Sequence, residues 1–219
     1  SLISGNDTES PTRLGRVMTQ FASDTMRSID NMLNPSSVAV VGATERLQYG
    51  GRFLRSIMPA KDKVRIYPVN PKYDKVLGMR CYPTVLDLPE VPDLVSVIVP
   101  QDHVMQVLEE SAQIGVKAAI VISAGFSERG DLSRKQAQQE LKDFSKRTGL
   151  RICGPNCLGV ANVAAGIWAT ASQLPEDNDS NAPSIGPVAL VSHSGATAFG
   201  PIMIRAKEIG LGFSHIIST

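Results

Sequence analysis

Short apolar runs alternate with longer amphipathic stretches along most of the chain. The first run, Val38 to Val41, is continuous and breaks at Gly42-Ala43-Thr44. A continuous β-branched run bounded by a turn is the pattern of a strand covered on both faces, the habit of parallel sheets. It leads through Gly50-Gly51 into a helical stretch, Arg52 to Ile57. Four further runs read as buried strands: Val64 to Val69, Leu94 to Val99, Ala118 to Ile122 and Leu150 to Cys153. Gln101 to Ile114 places Val104, Val107, Leu108 and Ile114 on one helical face, and Asp131 to Arg147 does the same with Ala137, Leu141 and Phe144. Strand and helix therefore alternate. The pattern predicts an α/β fold with a doubly wound parallel sheet, its ligand crevice beyond the carboxyl ends of the strands where the winding reverses.

Either side of this block the pattern changes. Residues 1–30 are polar and mixed, a leader that is mobile or a peripheral helix around Leu14 to Met26, and no function is assigned to it. Ile29 to Leu33 reads as a short helix ending at Asn34-Pro35, because the residue before a proline is pushed out of helical geometry. The main domain is then 31–170. A stretch rich in Ser, Pro, Asn, Asp and Glu, 171–186, reads as a linker, and a second unit occupies 187–219. In it Val188 to Ser192 is a further buried strand, His193-Ser194-Gly195 a turn, Ala196 to Ile209 a helix despite Pro201, and Phe213 to Ser218 a strand. One strand, one helix and one strand cannot cover a parallel sheet, so this unit is expected to be the opening of a longer domain.

Composition narrows the function classes. With 219 residues, 42% hydrophobic and 20% charged, the chain can bury a full core, which excludes wholesale disorder. The net charge of +1 gives no global pull toward nucleic acid or an anionic membrane, so anion binding must come from local placement. Cys81, Cys153 and Cys157 form no Cys-x-x-Cys pair; with no secretory leader and no long apolar span, a reduced, soluble, cytoplasmic protein is expected. His103, His193 and His215 are far apart and none has metal-ligand spacing with the cysteines, so no metal site is expected.

The chemistry is sought where the strands end. Glycines after the first strand allow a sharp turn and expose N–H groups at the helix start, where an anion can sit. The spacing is neither G-x-G-x-x-G nor a P-loop, so the turn alone names no ligand. After it come Arg46, Tyr49 and Gly50; after the second strand Asn70-Pro71-Lys72; after the third Pro100-Gln101; after the fourth Ser123-Ala124-Gly125-Phe126; after the fifth Gly154-Pro155-Asn156-Cys157-Leu158-Gly159. An NAD enzyme would place an acid near the end of strand two, where this chain has Lys72. A cation suits the additional phosphate of coenzyme A or NADP, so Lys72 disfavours NAD more firmly than it chooses between those two.

The ordered motifs VAVVGAT, VNPK, IVP, ISAGF, GPNCLG and GPVALVSHSGA run from about Pro35 to the end. Together they resemble the coenzyme A-binding domain of the nucleoside-diphosphate-forming acyl-CoA synthetases, the superfamily of succinyl-CoA synthetase α subunits. The resemblance implies a Rossmann-like coenzyme A domain followed by the start of a flavodoxin-like ligase domain. It implies an acid–thiol ligase in which ATP or GTP phosphorylates a histidine, the phosphate passes to a carboxylic acid, and the coenzyme A thiol attacks the acyl phosphate. Gly42, Ala43, Thr44 and Gly50 would surround the coenzyme A phosphates, with Arg46 and Tyr49 of the same turn and with Lys72, beside Asn70 and Pro71, as charged partner. Val99 and Pro100 would flank the adenine, Ser123, Ala124 and Gly125 the pantetheine path, and Asn156 and Cys157 the thiol end. Ser192, His193, Ser194 and Gly195 match the turn that receives the phosphohistidine phosphate. The family's catalytic histidine and ATP-grasp domain are expected outside this chain, so no catalytic residue is assigned within it. ATP and Mg2+ would belong to those other parts, and an oligomer is expected.

Plainer readings stand beside these. Gly42 can be a turn residue alone, Lys72 a solvated lysine, and Asn156 a residue satisfying its own turn. Cys157 reads as a small buried or site-lining residue rather than a nucleophile, and Trp168 and Phe199 as packing. Two other functions fit the same fold: an NADP-dependent oxidoreductase, for which no hydride-transfer residue is visible, and a non-catalytic coenzyme A or acyl-CoA sensor fused to an acyltransferase.

Overall fold

A computed structural model describes residues 13–126, 132–172 and 183–219, and the side chains from residue 22 onward within them. The first twelve residues of the leader, Asp131 and its four predecessors, and 173–182 of the linker lie outside the described residues. In chain order the strands are β1 (Ser37–Val41), β2 (Arg65–Val69), the hairpin β3 (Lys75–Val76) and β4 (Met79–Arg80), β5 (Leu94–Val97), β6 (Ala118–Val121), β7 (Arg151–Cys153), the hairpin β8 (Gly159–Asn162) and β9 (Ile167–Thr170), β10 (Ile185–Ser192) and β11 (Phe213–Ser218). The helices are α1 (Arg13–Leu33), α2 (Tyr49–Ile57), α3 (Gln101–Gln113), α4 (Leu132–Thr148), and the short α5 (Gly195–Thr197) and α6 (Met203–Glu208).

Five strands form a sheet in the order β2-β1-β5-β6-β7, with every neighbouring pair parallel. The continuous apolar runs are explained by cover on both faces: every residue of β1, β5 and β6 is buried. Phe53, Leu54 and Ile57 of α2, with Met32 and Leu33 of α1, pack on Val38, Val40 and Ile120. Val104 and Leu108 of α3, with Leu141 and Phe144 of α4, pack on Ala39, Val95, Val97 and Val121. The sheet is therefore doubly wound and Rossmann-like, and the winding reverses between β1 and β5, so a crevice opens beyond their carboxyl ends.

From Arg13 onward the leader and the short helix predicted after it are one helix, α1, which stops at Leu33 ahead of Asn34-Pro35 as anticipated. It is tied to the body where Arg151 donates to the Thr25 hydroxyl at 2.7 Å and the Asn162 amide donates to the Leu33 carbonyl at 3.3 Å. Among the described residues no helix is long and apolar enough to cross a membrane.

A second sheet, β10-β11-β8-β9, pairs β10 with β11 in parallel and β11 with β8 antiparallel. The β8–β9 hairpin was not anticipated, and it places residues on both sides of the expected linker in one sheet. β10 begins at Ile185, inside that linker. The part of it expected to be buried, Val188 to Ser192, is not: Val188 is 36% and Val191 62% exposed, and among the described residues β11 is its one neighbouring strand. The helix expected over Ala196 to Ile209 is also interrupted. A π turn at Ala198–Ile202 separates α5 from α6, with Gly200 outside helical geometry at φ −122° and ψ −107°. Pro201 is the cause, since it has no N–H to give and its ring crowds the preceding turn.

Candidate functional site

The crevice is built by three glycines that no other residue could replace. Gly42, at φ +92°, follows β1, and its N–H donates to the Val69 carbonyl at 2.9 Å. A β-carbon there would sit 2.0 Å from the Ile98 carbonyl oxygen, so only glycine lets the end of β5 pass this close. Added β-carbons at Gly50 and Gly51 would meet the carbonyl oxygens of Gly42 at 2.1 Å and Arg46 at 1.9 Å. The turn is thus folded down onto the start of α2. Gln48, the residue before that helix, places no side-chain cap on it, and no acid lies in its first turn. The leading N–H groups and the positive end of the helix dipole face a cleft of about 590 Å³.

Eight predicted residues line this cleft. Gly42, Thr44, Tyr49 and Gly50 form the wall on the β1–α2 side, and Val99, Pro100, Ser123 and Ala124 form the opposite one. Leu47, Gln48, Arg52 and Ile98 also line it and were not anticipated. The signal for two of them was present, since Gln48 and Arg52 are four residues apart and fall on one side of a helix start.

The other predicted residues stand behind or beside the cleft. Asn70 donates its amide to the Ala43 carbonyl at 2.8 Å and accepts the Lys72 N–H at 3.0 Å. It is a strut joining the glycine turn to the Pro71-Lys72 turn, on which the Lys72 side chain is exposed. The Arg46 N–H donates to the Thr44 hydroxyl at 3.3 Å while its side chain is exposed. The Ser123 hydroxyl donates to the Val99 carbonyl at 2.6 Å and accepts the Val99 N–H at 3.1 Å, so it ties the ends of β5 and β6 together. Gly125, at φ +106°, gives its carbonyl to Arg134 at 2.9 Å, and Arg134 also bonds to Gln101.

Asn156 is exposed at φ +58°, and its N–H donates to the Ser123 carbonyl at 3.0 Å. Cys157 beneath it is buried, with its sulfur 3.5 Å from the Val121 carbonyl oxygen. A hydrogen bond with Cys153, together with burial, pushes the Cys157 thiol well up, which keeps it protonated and a poor nucleophile. The second turn meets the same loop from the other side. A β-carbon on Gly195 would lie 2.6 Å from the Ser218 hydroxyl and 2.8 Å from Leu158, while Leu158 donates its N–H to Ser218 at 3.0 Å. Within that turn Ser194 accepts the Thr197 N–H at 3.4 Å, Ser192 accepts the Ser194 N–H at 3.1 Å, and His193 Nδ1 lies 3.0 Å from the Thr219 hydroxyl. Most of the predicted residues therefore form two groups, the cleft and the Asn156 to Gly195 corner, linked through the Ser123–Asn156 bond, while the Arg46 and Lys72 side chains stand outside both.

The family model described as CoA binding domain matches residues 36–163. The ADP-forming acetate–CoA ligase of Methanocaldococcus jannaschii is 37% identical over 185 residues, which are 84% of this chain and 24% of that protein. The alpha subunit of the Pyrococcus furiosus ADP-forming acetate–CoA ligase II is 33% identical over 190 residues, 87% of this chain and 39% of the subunit. Among solved structures, the dinucleotide-forming acetyl-coenzyme A synthetase 1 of Ca. Korarchaeum cryptofilum, in complex with phosphate and ADP, superposes with a TM-score of 0.77. It is 34% identical and covers 88% of this chain and 39% of its own. The chain thus spans 24% to 39% of the length of these relatives.

Proposed function

Since the chain belongs to the CoA-binding domain family, whose model matches residues 36–163, we propose that it is the coenzyme A-binding part of an ATP-dependent, ADP-forming acyl-CoA synthetase. The observation that carries this reading is the cleft at the reversal of the sheet. It is walled by Gly42, Thr44 and Gly50 over an uncapped, acid-free helix start, and an anionic nucleotide end fits such a place. In this reading the coenzyme A phosphates lie over α2, with Lys72 reaching them from the Asn70 turn. Val99 and Pro100 flank the adenine. The pantetheine runs past Ser123, Ala124 and Gly125, and the thiol arrives near Asn156 and Cys157.

The Ser123–Asn156 bond and the packing of Gly195 on Leu158 support a route from the cleft to the Ser192–Gly195 turn. There the acyl phosphate would meet the thiol, while the buried, protonated Cys157 lines the place without entering the reaction. ATP and Mg2+ would be handled by an ATP-grasp domain or subunit, an arrangement the alpha-subunit relative favours, and the assembly would be oligomeric. The three free thiols fit a reducing, cytoplasmic setting. The deciding experiment is calorimetric titration of the 219-residue chain with coenzyme A, dephospho-coenzyme A and NADP. Coenzyme A should bind tightest, and binding of NADP in its place, or of none of the three, overturns the reading.

A further inference from the structure

The cleft carries a charge that the strand-end pattern did not reveal. We infer that Arg52 determines the cleft's specificity for pyrophosphate: its guanidinium takes the two phosphates nearest the start of α2, and Lys72 is left to the phosphate on the ribose. The inference rests on the coenzyme A reading and refines it. Arg52 lies in the first turns of α2, its N–H bonded to the Gln48 carbonyl at 2.8 Å, and its half-buried side chain lines the cleft. Among the described residues no carboxylate lines that cleft.

Arg46, in the same turn, has an exposed side chain and does not line the cleft, and the other arginines of the domain with a partner are engaged elsewhere. Arg55 donates to the carbonyls of Glu45 and Gly51, Arg65 pairs with Glu90, Arg134 holds Gly125, and Arg151 holds Thr25. Among the described residues the Arg52 guanidinium makes no ion pair or hydrogen bond; it lies 5.9 Å from the centre of the Tyr49 ring, which orients it without satisfying its donors. A half-buried guanidinium of this kind is completed by an anion, and its planar fork fits two phosphate oxygens at once. The helix dipole adds in the same direction. Lys72, by contrast, does not line the cleft and stands at the end of β2, where a ribose would lie in a sheet wound this way.

The test is titration of the whole chain and of Arg52→Gln, Arg52→Lys and Lys72→Gln with coenzyme A and with dephospho-coenzyme A, alongside thermal melts. Arg52→Gln should weaken both ligands by the same factor, roughly tenfold or more. Lys72→Gln should weaken coenzyme A alone and erase the difference between the two. Wild-type affinity in Arg52→Gln, or a loss confined to coenzyme A, overturns the inference and leaves the coenzyme A reading standing. If the glutamine variant melts early, Arg52→Lys decides: a smaller, equal loss for both ligands supports a bidentate contact, and no loss refutes it. A wild-type chain that binds neither ligand removes the reading and the inference together.

Discussion

Twice the chain makes a strand, turns at a glycine and starts a helix, once over Val38–Ile57 and again over Val188–Glu208. In sequence the two look alike, each an apolar run ending in a small-residue turn. In the fold they differ at every step. β1 has a parallel strand on each side and helices on both faces, whereas β10 has β11 beside it and is largely exposed. The first turn leaves its helix start without a side-chain cap and opens on a cleft. The second is closed on itself, with Ser194 capping Thr197 and Ser192 holding Ser194, and its helix is broken after one turn. A glycine turn after a strand is therefore not by itself an open helix start. What sets the first one apart is a longer helix, an empty cap position and a neighbouring strand that forms the opposite wall of a cleft.

The sharpest way to break this comparison is to give each glycine a side chain. At Gly42 an alanine would need φ +92° and would collide with the Ile98 backbone, which cannot yield without moving β5. Gly42→Ala should cost at least ~3 kcal/mol of stability and abolish coenzyme A binding. At Gly195 no left-handed φ is required, and the obstacles are the Ser218 hydroxyl, which can rotate, and Cβ and Cγ of Leu158, which need a small shift of a loop rather than of a central strand, so the cost should be smaller, about 1–2 kcal/mol. Urea denaturation of both variants checks this, and equal losses would mean that the two turns are under equal constraint.

The next effect compares the strands. Val40 is fully buried, and Val40→Ala should lose roughly 2 kcal/mol, while the exposed Val191→Ala should stay within about 0.5 kcal/mol of wild type. A large loss at Val191 would show that the β10 face is covered in solution.

What could be read beforehand follows from how local the cause is. The runs of β1, β5 and β6 announced themselves because burial on both faces imposes an apolar residue at every position, and Gly42 because a tight turn admits little else. The β8–β9 hairpin was hidden because its strands are only four residues each and its order depends on β11, some fifty residues away. The exposure of β10 was hidden for the same reason, since an apolar run shows what a strand could bury and not which neighbours it has. Within the cleft, Thr44, Tyr49, Val99 and Ala124 were found because they follow strand ends, but Leu47, Gln48 and Arg52 belong to a helix start marked by nothing stronger than the four-residue spacing of Gln48 and Arg52. Ser123 lines the cleft while its hydroxyl is engaged by Val99, and Asn70 braces the turn behind it; sequence places both at strand ends but does not record where their side chains are directed.

Asn70 gives the third test. Asn70→Ala removes the donor to Ala43 and the acceptor for the Lys72 N–H, at a cost of about 1 kcal/mol, and should weaken coenzyme A by loosening the turn. Asn70→Asp keeps the acceptor but cannot donate to Ala43, so it should behave like the alanine variant in binding. If it binds as wild type does, the strut does not work through the Ala43 bond.

The smallest effect belongs to the opposite end of the same sheet and asks whether the two ends are independent. Arg65, at the start of β2, donates to Glu90 at 2.6 Å, and the Tyr67 hydroxyl donates to the same carboxylate at 2.7 Å. Arg65 first and Tyr67 second hold the Glu90 carboxyl below the usual carboxylate range. Because its folded pKa is depressed, the stabilisation is fully present above the unfolded value of about 4.3 and is lost as pH falls through the folded one. The pair is solvent-exposed, so the effect is small and screened by salt. Glu90→Gln should therefore be slightly less stable than wild type at pH 7, with the difference fading below about pH 4 and in high salt. Its coenzyme A affinity should not change, because Glu90 and Arg65 lie at the strand ends remote from Gly42 and Ile98. A change in that affinity would show that the cleft senses the far end of the sheet, and a difference independent of pH would assign the contact to packing of Tyr67 rather than to charge.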